Sequence, residues 1–228
     1  MTPMSSAFGK FSAVELVVAL LLLFFAAPFV DEFKHGELII SCLIVLVLVA
    51  SVLAIGGQRR TLAAASVLAL LVITSRTISY FRPDLLSRVP TCICALSFCA
   101  FVVMNLIRFV LRAPRVDARV LCAGISAYML MGLAWSAAYL LEANVRPDAF
   151  AFSAARDANH AMTGFDAFYF SLVTLTTVGF GDITPVSRVA RMLTAMEAMT
   201  GLLYVAVMIA RLVSLYSSRE NPDPQGRE

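Results

Sequence analysis

The chain has 228 residues, of which 60% are hydrophobic and only 14% charged, with a formal net charge of +3 at pH 7. Its mean hydropathy of +0.85 stands far from soluble globular domains, where roughly 25% of residues are charged. That balance argues against a soluble enzyme or a nucleic-acid-binding module and places the chain in a lipid bilayer.

At 1.5 Å per residue a helix needs about 20 apolar residues to cross the hydrocarbon core. Six segments qualify, at about 11–30, 38–56, 61–80, 90–111, 118–141 and 187–217. The first follows Lys10 and ends near Ala26-Ala27-Pro28, as a secretory signal would. Its apolar run is longer than the about 7–15 residues of a signal core, and Glu15 interrupts it, so it is expected to stay in place as the first transmembrane helix. The tail at 218–228 is polar and rich in breakers, a composition that does not fold alone.

A seventh apolar stretch, 164–176, is too short to cross and reads as a re-entrant helix. Asp166 near its start suits the positive end of a helix dipole, and its other end would offer unpaired carbonyls to a cation. Non-helical backbone at this depth is tolerated only when protein or water surrounds it.

The run that follows, residues 176–182, reads Thr-Thr-Val-Gly-Phe-Gly-Asp. A chance Thr/Gly-rich turn is the plain alternative, but seven contiguous residues between a short apolar helix and a long one ask for more. To aim successive carbonyls at one axis, the backbone must visit conformations closed to most L-residues, and glycine alone adopts positive φ at little steric cost. Gly179 and Gly181 are therefore expected to be needed as glycines, with Val178 and Phe180 turned outward.

The stretch TLTTVGFGDITP at 174–185 closely resembles the pore signature of the tetrameric potassium channel family. In that family rings of backbone carbonyls from four such loops replace the hydration shell of K⁺. The resemblance implies a selectivity filter of Thr177, Val178, Gly179, Phe180, Gly181 and Asp182. K⁺ would be held by the carbonyls of Thr177, Val178, Gly179 and Phe180, as a transported ion and not a cofactor. Thr176, Tyr169 and Phe170 would support the filter, the two aromatics as a cuff around it. One loop per chain implies a homotetramer; neither nucleic acid nor a small-molecule substrate is implied, and a regulator is left open. Phe180 stands where tyrosine is more usual, which puts filter stability in doubt.

The resemblance is strong over about 118–217 and architectural before it. It implies an all-α membrane protein with six transmembrane helices, a re-entrant pore helix and a filter loop. The implied divisions are a four-helix region at 1–111, a cytoplasmic linker at 112–117, a pore module at 118–217 and a short tail at 218–228. Both termini are expected in the cytoplasm; short loops suggest a prokaryotic plasma membrane. Arg59, Arg60, Arg108, Arg112, Arg115 and Arg119 fall on the expected inner side, whereas Arg76, Arg82 and Arg88 fall outside. Segment 90–111 carries only Arg108, so little voltage sensing is expected.

In the last segment Gly201 lies about where the family's hinge glycine falls, and an interior glycine costs roughly 1 kcal/mol against alanine. A gating bend and close helix packing are both open readings. Glu197, one turn earlier, is an acid in an apolar helix and needs a partner. Thr174 and Thr176 are the candidates, with a proton-sensitive gate as the functional alternative. Arg211 is expected to snorkel to the interface. Arg188 and Arg191 are candidates to pair with Asp182. Cys42, Cys92, Cys94, Cys99 and Cys122 read as small apolar residues, and His35 and His160 as exposed loop residues. A weakly selective cation channel, a potassium uptake subunit and a non-conducting scaffold are the rival functions.

Overall fold

The computed structural model describes residues 5–30, 36–55, 59–81, 88–115, 117–153 and 161–220. His35, His160, Arg82 and the tail at 221–228 lie outside them, as do the side chains of Lys10, Arg59 and Arg60. In chain order the elements are α1 (Ser5–Val30), α2 (Gly36–Ile55), α3 (Arg59–Phe81), α4 (Arg88–Arg112), α5 (Ala118–Val145), β1 (Phe150–Phe152), α6 (Gly164–Leu175), β2 (Ile183–Pro185) and α7 (Arg188–Glu220). The protein is mostly helical, as the continuous apolar runs require: without water, a segment must satisfy its own backbone groups.

Four helical stretches among the described residues are long and apolar enough to cross a membrane: Thr61–Ser79, Arg88–Arg112, Ala118–Val145 and Arg188–Ser214. The apolar parts of the first two helices, Ala13–Phe29 and Cys42–Ala54, fall short of that length within the described residues. Several hydroxyls inside the apolar helices bond back to their own helix, Thr74 Oγ1 to Leu70 O at 2.8 Å, Ser97 Oγ to Ile93 O at 2.8 Å and Thr200 Oγ1 to Met196 O at 2.6 Å. Each such bond removes the cost of an unpaired polar group in hydrocarbon.

The α5 helix is the organising element, packed against α4, α1, α6 and α7. Asp117 caps its start by accepting from Val120 N at 3.0 Å. One packed cluster joins Leu16 and Leu20 of α1 and Val47 of α2 to Phe98, Val102 and Leu106 of α4, and all of these to Ala123, Ala127 and Leu130 of α5. Lipid tails are as apolar as leucine, so such contacts hold by close packing of small residues against large ones and not by exclusion of water. Arg112, expected in the linker, lies in the last turn of α4.

A second cluster holds α6 in place. Tyr139, Phe150 and Phe170 pack mutually edge to face, with ring centroids 4.9 Å (Tyr139–Phe170), 5.7 Å (Tyr139–Phe150) and 5.6 Å (Phe150–Phe170) apart. Such pairs contribute about 0.5–1.5 kcal/mol each beyond burial. Phe24 of α1 meets Phe168 of α6 in the same manner at 4.6 Å. The β1 and β2 strands pair antiparallel, Phe150 opposite Pro185 and Phe152 opposite Ile183, so the chain before α6 clasps the chain after the Thr-Gly run.

Candidate functional site: the turn after α6

The start of α6 is set by a reciprocal cap. Thr163 Oγ1 accepts from Asp166 N at 3.1 Å, and Asp166 Oδ2 accepts from Thr163 N at 3.1 Å and from Thr163 Oγ1 at 2.8 Å. Asp166 therefore acts through local hydrogen bonds as well as through the dipole.

At the other end the N–H groups turn back into the helix. Thr176 N donates to Leu172 O at 3.1 Å, Thr177 N to Thr174 O at 2.9 Å, and Val178 N and Gly179 N both to Val173 O, at 3.0 and 3.3 Å. Thr176 Oγ1 adds a bond to Leu172 O at 2.7 Å. Positive φ occurs at Thr177 (59°), Gly179 (60°) and Gly181 (78°), and not at Val178 or Phe180. Alternating hand along a chain puts its N–H groups on one side and its carbonyls on the other. With the N–H groups engaged by α6, the carbonyls of Thr177 through Phe180 have no hydrogen-bond partner among the described residues. Thr177 bears a left-handed conformation that glycine would take freely, and such strain collects at functional sites.

The side chains around this turn divide. Val178 and Phe180 are exposed, 56% and 69%, so within one chain nothing covers them fully. Phe180 stacks on Tyr169, rings nearly parallel (4°) at 6.5 Å. Phe170, expected beside Tyr169, faces the other way into the Tyr139–Phe150 cluster; consecutive helical residues point about 100° apart and cannot share one face.

Past the turn, Asp182 Oδ1 accepts from Ile183 N at 3.1 Å and Asp182 O accepts from Ser153 N at 2.8 Å. The expected pairing with Arg188 or Arg191 is not made: Arg191 Nε donates to Pro185 O at 3.2 Å. Ser187 starts α7, its hydroxyl accepting from Ala190 N at 3.0 Å and donating to Glu142 Oε1 at 2.9 Å. Neither Glu142 nor Ser187 was singled out by sequence, although an acid near the end of an apolar helix was the available signal.

Behind the turn, Glu197 is fully buried. Its partners are Tyr139 Oη on α5 and Ser171 Oγ on α6, the latter at 2.6 Å. Thr174 and Thr176, the expected partners, are not among them, and Thr176 returns to its own helix. Tyr128 Oη donates to Leu175 O at 3.1 Å, and Gly201 abuts the same carbonyl. Farther along α7, Tyr204 Oη donates to Gly124 O at 2.5 Å and Arg211 Nη2 to Ala113 O at 2.9 Å. Arg211 thus reaches the segment that follows α4. Among the described residues no group of His, Cys, Asp or Glu side chains is placed to hold a metal, and the five cysteines are unpaired.

A family model described as an ion channel matches residues 120–218, which span α5 to α7. Two-pore potassium channel 4 of Arabidopsis thaliana is 44% identical over 57 residues, 25% of this chain and 20% of the relative. Two pore potassium channel c of Oryza sativa subsp. japonica is 34% identical over 88 residues, 39% of this chain and 17% of the relative. The chain therefore spans a fifth or less of the length of these relatives. They are plant proteins and lend no support to the prokaryotic membrane expected from loop length. No solved structure gives a significant match. Through residues 120–218 this multi-pass membrane chain matches an ion channel family, and over shorter stretches it is similar to plant potassium channels.

Proposed function

We propose that four copies of this chain enclose a K⁺-selective pore in which the carbonyls of Thr177, Val178, Gly179 and Phe180 replace the water around the ion. The observation that carries this reading is the alternation of positive φ at residues 177, 179 and 181, with the neighbouring N–H groups bound back to α6. Fixed carbonyl dipoles with no internal partner suit a weakly hydrated cation that must enter and leave quickly. In this reading α6 is the re-entrant pore helix, and Asp182 marks the outer mouth. Six crossings, with α1 and α2 included, leave both termini on the cytoplasmic side. The apolar face of α7, with Met192, Met199, Leu202 and Leu203 exposed, supports contact with further copies or with lipid.

The test is reconstitution in a planar bilayer with K⁺ on one side and Na⁺ on the other. A reversal potential strongly favouring K⁺, with current lost in Gly179→Ala, is the expected result. A reversal potential near zero with clear current would replace this reading by that of a weakly selective cation channel. Current unchanged in Gly179→Ala would remove the carbonyl filter from the pathway.

A further inference from the structure

Glu197 is wholly buried, and its carboxyl meets two hydroxyls and no cation among the described residues. Those contacts contain one more hydrogen-bonded pair than an ionised carboxylate can supply. Ser171 Oγ lies 2.6 Å from Glu197 Oε1 and 2.7 Å from Gly132 O. A serine hydroxyl carries one hydrogen. With a carboxylate, both neighbours are pure acceptors, so one of the two contacts would set oxygen lone pairs against each other at hydrogen-bond distance.

A carboxylic acid resolves the count. Glu197 Oε1–H then donates to Ser171 Oγ, Ser171 donates to Gly132 O, and Tyr139 donates to Glu197 Oε2, so every short contact has its own hydrogen. The carbonyl of Gly132 is an acceptor in any state, and neither Ser171 nor Tyr139 can supply a second hydrogen. An unpaired carboxylate in hydrocarbon would also be costly.

We propose that Glu197 stands in the folded protein as an un-ionised carboxylic acid and is a positioning residue. It links α7 to Tyr139 of α5 and to Ser171 of α6, which in turn bonds Gly132 of α5, and so fixes the depth and rotation of α6 beneath the turn at 177–181. The consequence for selectivity rests on the K⁺ channel reading; the protonation state does not. Glutamine offers Ser171 a donor and Tyr139 an acceptor as the acid does, with one further N–H, whereas leucine has similar bulk and neither.

The experiment has two parts, both on the full chain in lipid. The first is the infrared difference spectrum of wild type minus Glu197→Gln at neutral pH. A carbonyl stretch of a protonated carboxyl, present in wild type and lost in the variant, is the expected result; carboxylate bands in its place overturn the proposal. The second compares reversal potentials. Glu197→Gln is expected to keep the K⁺ bias and Glu197→Leu to lose it, with Ser171→Ala following the leucine variant. Retained bias in Glu197→Leu, or loss in Glu197→Gln, overturns the positioning role. A wild-type protein that passes no current counts against the channel reading alone, and the infrared result still decides the protonation.

Discussion

Gly201 of α7 is pressed so closely against the end of α6 that a β-carbon there would sit 2.3 Å from Leu175 O and 3.0 Å from Leu175 Cδ1. The same carbonyl accepts from Tyr128, so it cannot withdraw freely. This contact accounts for a glycine at 201 without a bend, and α7 runs from Arg188 to Glu220 as one helix.

Gly201→Ala is therefore expected to destabilise the folded protein, by about 1–3 kcal/mol for a small-to-large change in a packed site. Thermal unfolding of the protein in lipid measures it. A pure hinge would answer differently: alanine would leave thermal stability intact or raise it through helix propensity and slow opening instead.

The stacking of Tyr169 on Phe180 makes a second prediction. The Phe180 side chain is otherwise exposed, so the Tyr169 ring is its main support within one chain. Tyr169→Ala should loosen the turn and increase Na⁺ permeation relative to K⁺, while Phe170→Ala, acting on the Tyr139–Phe150 cluster, should lower stability by about 3–5 kcal/mol, as large aromatic truncations do. Bi-ionic reversal potentials and thermal unfolding separate the two effects. Equal selectivity loss in both variants would show that the stacked ring has no special part.

What could be read in the sequence was whatever local chemistry decides. The helix start near Gly164 was signalled by Asp166 through the dipole, though its capping partner Thr163 was not singled out, and the positive φ at Gly179 and Gly181 was signalled by the residue type itself. The lengths of α5 and α7 followed from apolar runs. Partners set by tertiary rotation were not legible. The acid at 197 was correctly read as needing hydroxyl partners near α6, yet which hydroxyls face it depends on how α5 and α7 turn about α6. Ser171 lies one turn before Thr174, on the same face, and Tyr139 comes from a helix 58 residues away. The β1–β2 pairing was missed because three residues carry too little alternation to register.

Arg211 supplies a third prediction. Its Nη2 bonds to Ala113 O, but its Nε is buried without a partner among the described residues. A charge-assisted bond contributes about 1.5–3 kcal/mol, and an orphaned donor costs a similar amount, so the net effect of the guanidinium is small. Arg211→Lys, which removes the buried Nε and keeps a cation within reach of Ala113 O while bringing three ammonium donors to it, should leave thermal stability little changed. Arg211→Met loses the tie between α7 and the segment after α4, and should change open probability more than stability. If Lys and Met destabilise alike, the guanidinium has partners beyond the described residues of one chain.

The fourth prediction concerns voltage. Steep voltage gating needs roughly 3–4 gating charges per subunit, each worth about 2.3 kcal/mol per 100 mV. Between residues 90 and 111, α4 carries Arg108 alone, near its end and exposed, with Arg112 in the last turn. The apolar runs of α2 and α3 contain no acid to receive a moving arginine. Extensive packing of α4 on α5, through Phe98, Val102 and Leu106, also resists sliding along the membrane normal. The conductance of the reconstituted protein should therefore vary shallowly with voltage, and Arg108→Gln should leave that slope unchanged. Steep activation that disappears in Arg108→Gln would show that this single arginine moves through the field, and that α4 slides on α5 despite the packing between them.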